Sequence, residues 1–198
     1  MMNSAHKITG ILLAGGMSSR MGREKGSLMI GGNMMYLYPL KALEALCDEI
    51  LISSSNPLLE NLPYTIVADK ISGIGPMAGI HACLEHSSND LNLVLSYDLP
   101  LVNESLLKYL VDKSDEWEMI VPAMQAGKPE PLCALYRKSM SSVFGSMIEK
   151  KRYAVHQAIP LVRSLVLDIQ PDMPFYTPDL FLNINSEEDL KSLPENFK

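Results

Sequence analysis

The sequence predicts an α/β fold: a doubly wound, Rossmann-like, mostly parallel sheet in a three-layer α/β/α sandwich, with a more mixed C-terminal half. Three observations predict it. Short apolar runs alternate with amphipathic patterns through the first half of the chain, which is the signature of parallel strands joined by crossover helices. The glycine-rich stretches directly follow apolar runs, where such sheets place their ligand loops. The chain has 198 residues, 47% of them hydrophobic and 20% charged. A domain of that size buries roughly 70% of its unfolded surface, enough for a core on both faces of a sheet.

The elements follow in order. "ITGILLAG" reads as a buried strand, and "MYLYPLKALEAL" (35 to 46) as a helix carrying Leu37, Leu40 and Leu43 or Leu46 on one face. Pro39 either kinks that helix or marks its first turn. "EILISSS" and "YTIVAD" are the next strands, and "MAGIHACLEHS" is helical. "LNLVLSYD" is the most apolar strand, followed by the helix "NESLLKYLVDK", for which Asn103 is the N-cap. "EMIVPAM" and "PLCALY" are strands, and a helix runs from about Lys138 to Lys150. "AVHQAIPLV" reads as helical and "RSLVLDI" as a strand. "FLNINSEEDLKSL" reads as a strand end turning into a last helix capped by Ser186.

Composition narrows the function classes. Seventeen basic residues against twenty-three acidic ones give a net charge of −6, which disfavours nucleic-acid binding through a basic surface. No apolar run approaches the ~18 residues needed to cross a bilayer, so no membrane partner is expected. The N-terminus has no long apolar signal region, and Cys47, Cys83 and Cys133 are odd in number and form no C-x-x-C pair. The expected compartment is the cytoplasm, without disulfides or a zinc site.

Within this acidic chain, "LLAGGMSSRMGREKGSL" (12 to 28) concentrates donors and cations in one loop. Gly15 and Gly16 let backbone N–H groups approach a phosphate, Ser18 adds a hydroxyl, and Arg20 and Lys25 supply full positive charges. No Walker A pattern is present. The bland alternative is a glycine turn with solvated cations. A second stretch, "GIGPMAG" (73 to 79), formally matches the dinucleotide fingerprint. Pro76 removes an amide from that loop, so its expected role is a tight turn brought against the first loop, after Asp69. Asp98 in "LSYDLPL" ends an apolar strand. It is placed either to hold Mg²⁺ beside substrate phosphates or simply to cap the turn before Pro100. His81 and His86, five apart on one helix, diverge and read as surface or packing residues. No G-x-S-x-G elbow is present.

"LLAGGMSSRMGREKGSL" resembles the N-terminal signature of nucleotidyltransferases, L-A-G-G-x-S-x-R-M-G-x-x-K, and more narrowly that of the molybdenum cofactor guanylyltransferases. "GPMAGI", "YDLP", "PEPLCALYRKS" and "FLNINSEEDL" follow in the order of that family and span nearly the whole chain. The resemblance implies one nucleotidyltransferase domain over 1–198, with a nucleotide-binding half (about 8–115) and an acceptor-binding half (about 116–198). It implies an enzyme that transfers GMP from GTP to the terminal phosphate of Mo-molybdopterin with Mg²⁺, and molybdenum-cofactor-accepting enzymes or biosynthetic partners as recipients. The rivals are a cytidylyltransferase for the same pterin and a sugar- or alditol-phosphate nucleotidyltransferase. A dinucleotide-dependent oxidoreductase and a non-catalytic binding module stand outside the class.

By the same resemblance Leu13, Ala14 and Gly15 present backbone to guanine and ribose, Lys25 contacts phosphate, Asp69 lies near the nucleotide and Asp98 carries Mg²⁺. Asn183 and Asn185 face the pterin or the metal. Glu24 stands where the family often has Asp, and Ser53 where some members have Asn near the base.

Overall fold

The computed structural model describes residues 6–15, 28–56, 59–124 and 127–197. The strands are β1 (Ile8–Leu13), β2 (Met29–Ile30), β3 (Asn33–Met34), β4 (Glu49–Ser53), β5 (Thr65–Val67), β6 (Leu91–Ser96), β7 (Met119–Met124), β8 (Cys133–Arg137) and β9 (Ser164–Ile169). The helices are α1 (Leu37–Glu44), α2 (Pro76–His86), α3 (Glu104–Asp112) and α4 (Met140–Glu149). Seven strands form one sheet in the order β5-β4-β1-β6-β8-β7-β9. All neighbours pair in parallel except at β8, which is antiparallel to both β6 and β7. The mostly parallel sheet with a mixed second half is therefore present, and β8 is what mixes it.

Period-two alternation divides the core in two. Leu12, Leu93, Leu95, Cys133 and Leu135 face a cluster with Leu40 and Leu43 of α1 and Leu106, Leu107 and Leu110 of α3. Ile11, Leu13, Val94, Ala134 and Tyr136 face the opposite cluster, with Met77, Ile80 and Leu84 of α2 and Met140, Phe144 and Met147 of α4. Both faces are covered, so the strands need no polar face. Gly10 lets α1 lie close on β1: a Cβ there would meet Ile50 Cδ1 at 2.7 Å and Leu43 Cβ at 3.1 Å.

Local details follow the residues. Pro39 occupies the first turn of α1, where a missing N–H costs nothing. Asn103 caps α3 by accepting from Leu106 N at 3.0 Å. The sequence reading passed over the β2–β3 hairpin, although Gly31 and Gly32, with φ of 54° and 82°, are the positive-φ pair that a two-residue hairpin turn requires.

Val155–Leu161 is helical, in 3-10 form, with Pro160 inside it unable to donate to an α-helical ladder. One reading is corrected. The chain forms no strand at 181–185, and its last helical part is only the 3-10 turn Asp189–Ser192 before Pro194 stops it, apart from the short turn Glu195–Phe197. Ser186 is a cap nevertheless. Its Oγ accepts from Asp189 N at 3.2 Å, and Asp189 accepts from Ser186 N at 2.8 Å and Asn185 N at 2.7 Å.

At the amino edge of the sheet the polar groups satisfy one another. Thr9 Oγ1 donates to Glu49 at 2.6 Å, Ser87 Oγ donates to Thr9 Oγ1 at 2.8 Å, and Ser88 N donates to Glu49 at 2.9 Å. The carboxyl edge is built differently.

Candidate active site at the carboxyl edge of the sheet

The strand order reverses at β1, since β4 and β5 lie to one side and β6 to the other. Ligands bind outside the carboxyl ends of strands at such a switch point. Ala14 sits there, with its N–H donating to Ser53 O at 2.9 Å and its carbonyl accepting from Ser54 Oγ at 3.3 Å. Leu13 O accepts from Tyr97 N at 3.0 Å. The end of β1 is thus clamped between the ends of β4 and β6, and Gly15 opens to solvent beyond it. Gly16, Ser18, Arg20, Glu24 and Lys25 lie outside the described residues.

Next to Gly15 the fold assembles a tight group. Buried Ser53 donates from Oγ to Asp69 Oδ1 at 3.1 Å. A Cβ on Gly15 would sit 3.9 Å from Asp69 Oδ2 and 3.7 Å from Ser53 Oγ. In α2, a Cβ on Gly79 would fall 2.2 Å from Ser53 Oγ and 3.2 Å from Asp69 Oδ1, so only glycine leaves that hydrogen bond intact. The "GIGPMAG" turn lies against this group, with Gly73 and Gly75 at φ of 80° and 76° and Pro76 as the first helical residue. Burial pushes the Asp69 carboxyl above its ordinary value, while the Ser53 hydroxyl pulls it down. A carboxylate held short of full stabilisation is suited to accept from a ligand's donors.

Asp98 lies one strand over. Its carbonyl accepts from Ile184 N at 2.9 Å, and Ser96 N donates to Leu132 O at 2.8 Å. Its Oδ1 is buried and has no hydrogen-bond partner among the described residues. An orphaned buried acceptor costs about 1–3 kcal/mol, more when charged, which a bound cation offsets. No group of three His, Cys, Asp or Glu gathers among the described residues. A single carboxylate fits Mg²⁺, which completes its shell with waters and substrate phosphates.

The Ile184 bond also carries Asn183 and Asn185 to the Asp98 turn, where both are exposed and the Asn185 amide donates to Asn183 Oδ1. Leu13, Ala14, Gly15, Asp69, Asp98, Asn183 and Asn185 therefore share one edge of the sheet. His81 and His86 do not join it. His81 Nδ1 lies 3.8 Å from Glu85 and His86 Nδ1 lies 3.1 Å from Ala82 O, both within α2. The three cysteines are unpaired.

Two features of the edge escaped the sequence reading. Because β8 runs backwards, α4 returns to the carboxyl edge and ends in exposed Lys150, Lys151 and Arg152, with Lys151 at φ 57°. For the same reason the segment entering β8, Glu130–Leu132, lies at this edge. The signal for both was the orientation of one strand, which "PLCALY" does not encode.

Residues 10–160 match the family described as MobA-like NTP transferase domain. The chain belongs to that family. It is a nucleotidyltransferase and so an enzyme. It is 30% identical over 189 residues to a probable molybdenum cofactor guanylyltransferase of Flavobacterium johnsoniae, covering 96% of this chain and 97% of the relative. A protein of the same description from Thermococcus sibiricus is 31% identical over 191 residues, covering 93% and 96%. Among solved structures, molybdopterin-guanine dinucleotide biosynthesis protein A of Archaeoglobus fulgidus shares the fold, with a TM-score of 0.78 at 23% identity over 93% of this chain and 95% of that one. No helix among the described residues is long and apolar enough to cross a membrane.

Proposed function

We propose that this enzyme transfers GMP from GTP to the terminal phosphate of Mo-molybdopterin, releasing pyrophosphate. A phosphate oxygen of the acceptor attacks the α-phosphorus, a new P–O bond forms, and the bond to the β-phosphate breaks. No protein nucleophile is needed, because the substrate supplies it and catalysis rests on positioning and charge.

One observation carries the reading: Asp98 Oδ1, buried and without a hydrogen-bond partner among the described residues, stands between two groups of substrate-facing residues. On one side are Ala14, Gly15, Ser53 and Asp69, and on the other Asn183 and Asn185, tethered through Ile184. Asp98 would hold Mg²⁺, which supplies charge neutralisation between the reacting phosphates. The backbone of Leu13, Ala14 and Gly15 and the Asp69 carboxylate would position guanine and ribose. Gly16, Ser18, Arg20 and Lys25 would hold the phosphate tail as charge develops on the leaving pyrophosphate. Asn183 and Asn185 would bind the pterin. In this reading 8–115 is the nucleotide half and 116–198 the acceptor half of one cytoplasmic enzyme, whose product passes to molybdenum-cofactor-accepting enzymes.

The names of the Flavobacterium and Thermococcus relatives support the guanylyl reaction. A cytidylyl reaction on the same pterin stays in view, because the Ser53 hydroxyl is spent on Asp69 rather than offered to a base. The test is pyrophosphate release with GTP, CTP, ATP and UTP at matched Mg²⁺, with Mo-molybdopterin and, separately, sugar and alditol phosphates as acceptors. Release with GTP far above the others supports the proposal. Preference for CTP moves the enzyme to the cytidylyl branch, and release only with a sugar or alditol phosphate removes the pterin.

A further inference from the structure

Glu130 stands between Pro129 and Pro131 in the segment that leads into β8. Its backbone is locked: Glu130 N donates to Pro122 O at 2.8 Å, and Glu130 O accepts from Cys133 N at 3.0 Å. Pro131 O accepts from Tyr136 Oη at 2.6 Å, and Pro129 bridges to Ala123. The antiparallel register of β6 with β8, which pairs Leu95 with Cys133, continues through the bond from Ser96 N to Leu132 O. Past that bond both chains turn, at Tyr97–Asp98 and at Pro131–Leu132, so Asp98 and Glu130 each lie two residues beyond the Ser96–Leu132 bond at the same edge of the sheet. Its carboxyl is half-buried and has no hydrogen-bond or ion-pair partner among the described residues. Burial pushes that carboxyl above its ordinary value.

A rigidly held, partly desolvated carboxylate beside a phosphoryl-transfer centre repels phosphate. It is tolerated where it meets the uncharged, donor-bearing part of a substrate. The donor arrangement that uses both oxygens at once is a fork of two N–H groups, such as the ring N–H and exocyclic NH₂ of a 2-amino-4-oxo pyrimidine edge. Guanine and pterin both carry that edge. The nucleotide residues Ala14, Gly15 and Asp69 lie at the ends of β1 and β5, while Glu130 lies beyond Asp98 on the β8 side. We propose that Glu130 is a specificity residue that accepts the paired N–H groups of the acceptor's pterin ring. This rests on the pterin reading above.

The test compares Glu130→Gln with the parent chain, using 6-hydroxymethylpterin and 6-hydroxymethyllumazine, which differ only in a 2-amino against a 2-oxo group. Binding is followed by pteridine fluorescence, and GTP and ITP are titrated in parallel. The parent should prefer the pterin by about tenfold or more. In Glu130→Gln that ratio should collapse toward one, while GTP affinity and the GTP/ITP ratio stay unchanged, which also reports an intact fold. An unchanged pterin/lumazine ratio, or no preference in the parent, overturns the proposal. A shift in the GTP/ITP ratio instead overturns it by assigning Glu130 to guanine. Pyrophosphate release by the parent with GTP and Mo-molybdopterin is measured separately. If it proceeds while the ratio does not move, only the role of Glu130 falls, whereas its failure removes the functional reading itself.

Discussion

The two halves of the sheet deliver residues to the same edge by opposite routes. In β5-β4-β1-β6 every strand runs toward the cleft, so the residues just after each strand line it: Asp69, Ser54, Ala14 with Gly15, and Tyr97 with Asp98. In the other half β8 runs away, and the cleft receives the residues before it, Glu130 to Leu132. The search rule for parallel sheets, to look after a strand, therefore works at those four strands and misleads at β8, the one strand antiparallel to its neighbours. Side-chain hydrogen bonds staple both halves: Thr9, Glu49, Ser87 and Ser88 do so at the amino edge of the parallel half, and Arg137 at the end of β8.

The largest effect that would test this division is at Asp98, where the halves meet. Asp98→Asn keeps the shape and removes the charge. Turnover should fall by about a hundredfold or more, some 3 kcal/mol of transition-state stabilisation, and the Mg²⁺ requirement should rise. A titration of initial rate against Mg²⁺ reads both, and parent-like rates at low Mg²⁺ would remove Asp98 from the centre.

Arg137 tests the antiparallel half. Its guanidinium pairs with Asp90 and donates to the carbonyls of Trp117 at 3.0 Å, Ser114 at 3.0 Å and Asp115 at 3.3 Å, stapling the end of β8 to the turn after α3. Arg137→Ala strips donors from several partly buried carbonyls at once. A loss of about 2 kcal/mol is expected, lowering the melting temperature by roughly 4–8 °C in a chain of this size. GTP affinity at 20 °C should be nearly unchanged, because the nucleotide residues belong to the other half. A large loss of GTP affinity in a folded variant would show that the halves are coupled.

Much of the fold was legible because its cause is local: apolar strands, helix faces, Asn103 as a cap and Pro39 in a first turn all act within a few residues. The places of Ala14, Gly15 and Asp98 at the carboxyl edge were legible because parallel strands end where ligands bind. What was not legible depended on pairing. The reversal of β8 brought Glu130 and the end of α4 to the cleft. The Ile184–Asp98 bond brought Asn183 and Asn185 there without the strand that their apolar neighbours suggested. Ser53 read as a departure near the base, and only the fold shows its hydroxyl turned onto Asp69.

Gly79 probes the nucleotide half at the next scale. Alanine favours a helix by about 1 kcal/mol over glycine, so on propensity alone Gly79→Ala should stabilise α2. Its Cβ would instead lie 2.2 Å from Ser53 Oγ and 3.0 Å from Ser53 Cβ, forcing the hydroxyl off Asp69. GTP affinity should fall about tenfold by calorimetry, with little change in melting temperature. Unchanged affinity would mean that the Ser53–Asp69 contact does not shape the nucleotide site.

Ser53→Ala makes the smallest and most specific change. It deletes the Ser53 donor that lowers the Asp69 carboxyl and leaves the burial that raises it, so the carboxyl should titrate at higher pH in the variant. If ionised Asp69 accepts from the nucleotide, GTP binding weakens as Asp69 protonates. The acid limb of affinity against pH should then move to higher pH, with only a few-fold loss of affinity at neutral pH. Stability supplies an independent sign. A carboxyl whose folded value lies above its unfolded one contributes fully only below the ordinary value of 3.8, and loses that contribution as pH rises through the folded value. Parent and variant should therefore differ most at neutral pH and converge in strong acid, where Asp69 is protonated in both states of both chains. Superimposable pH profiles for the two proteins would mean that the hydroxyl does not tune Asp69, and Gly79→Ala would then have to act through packing alone.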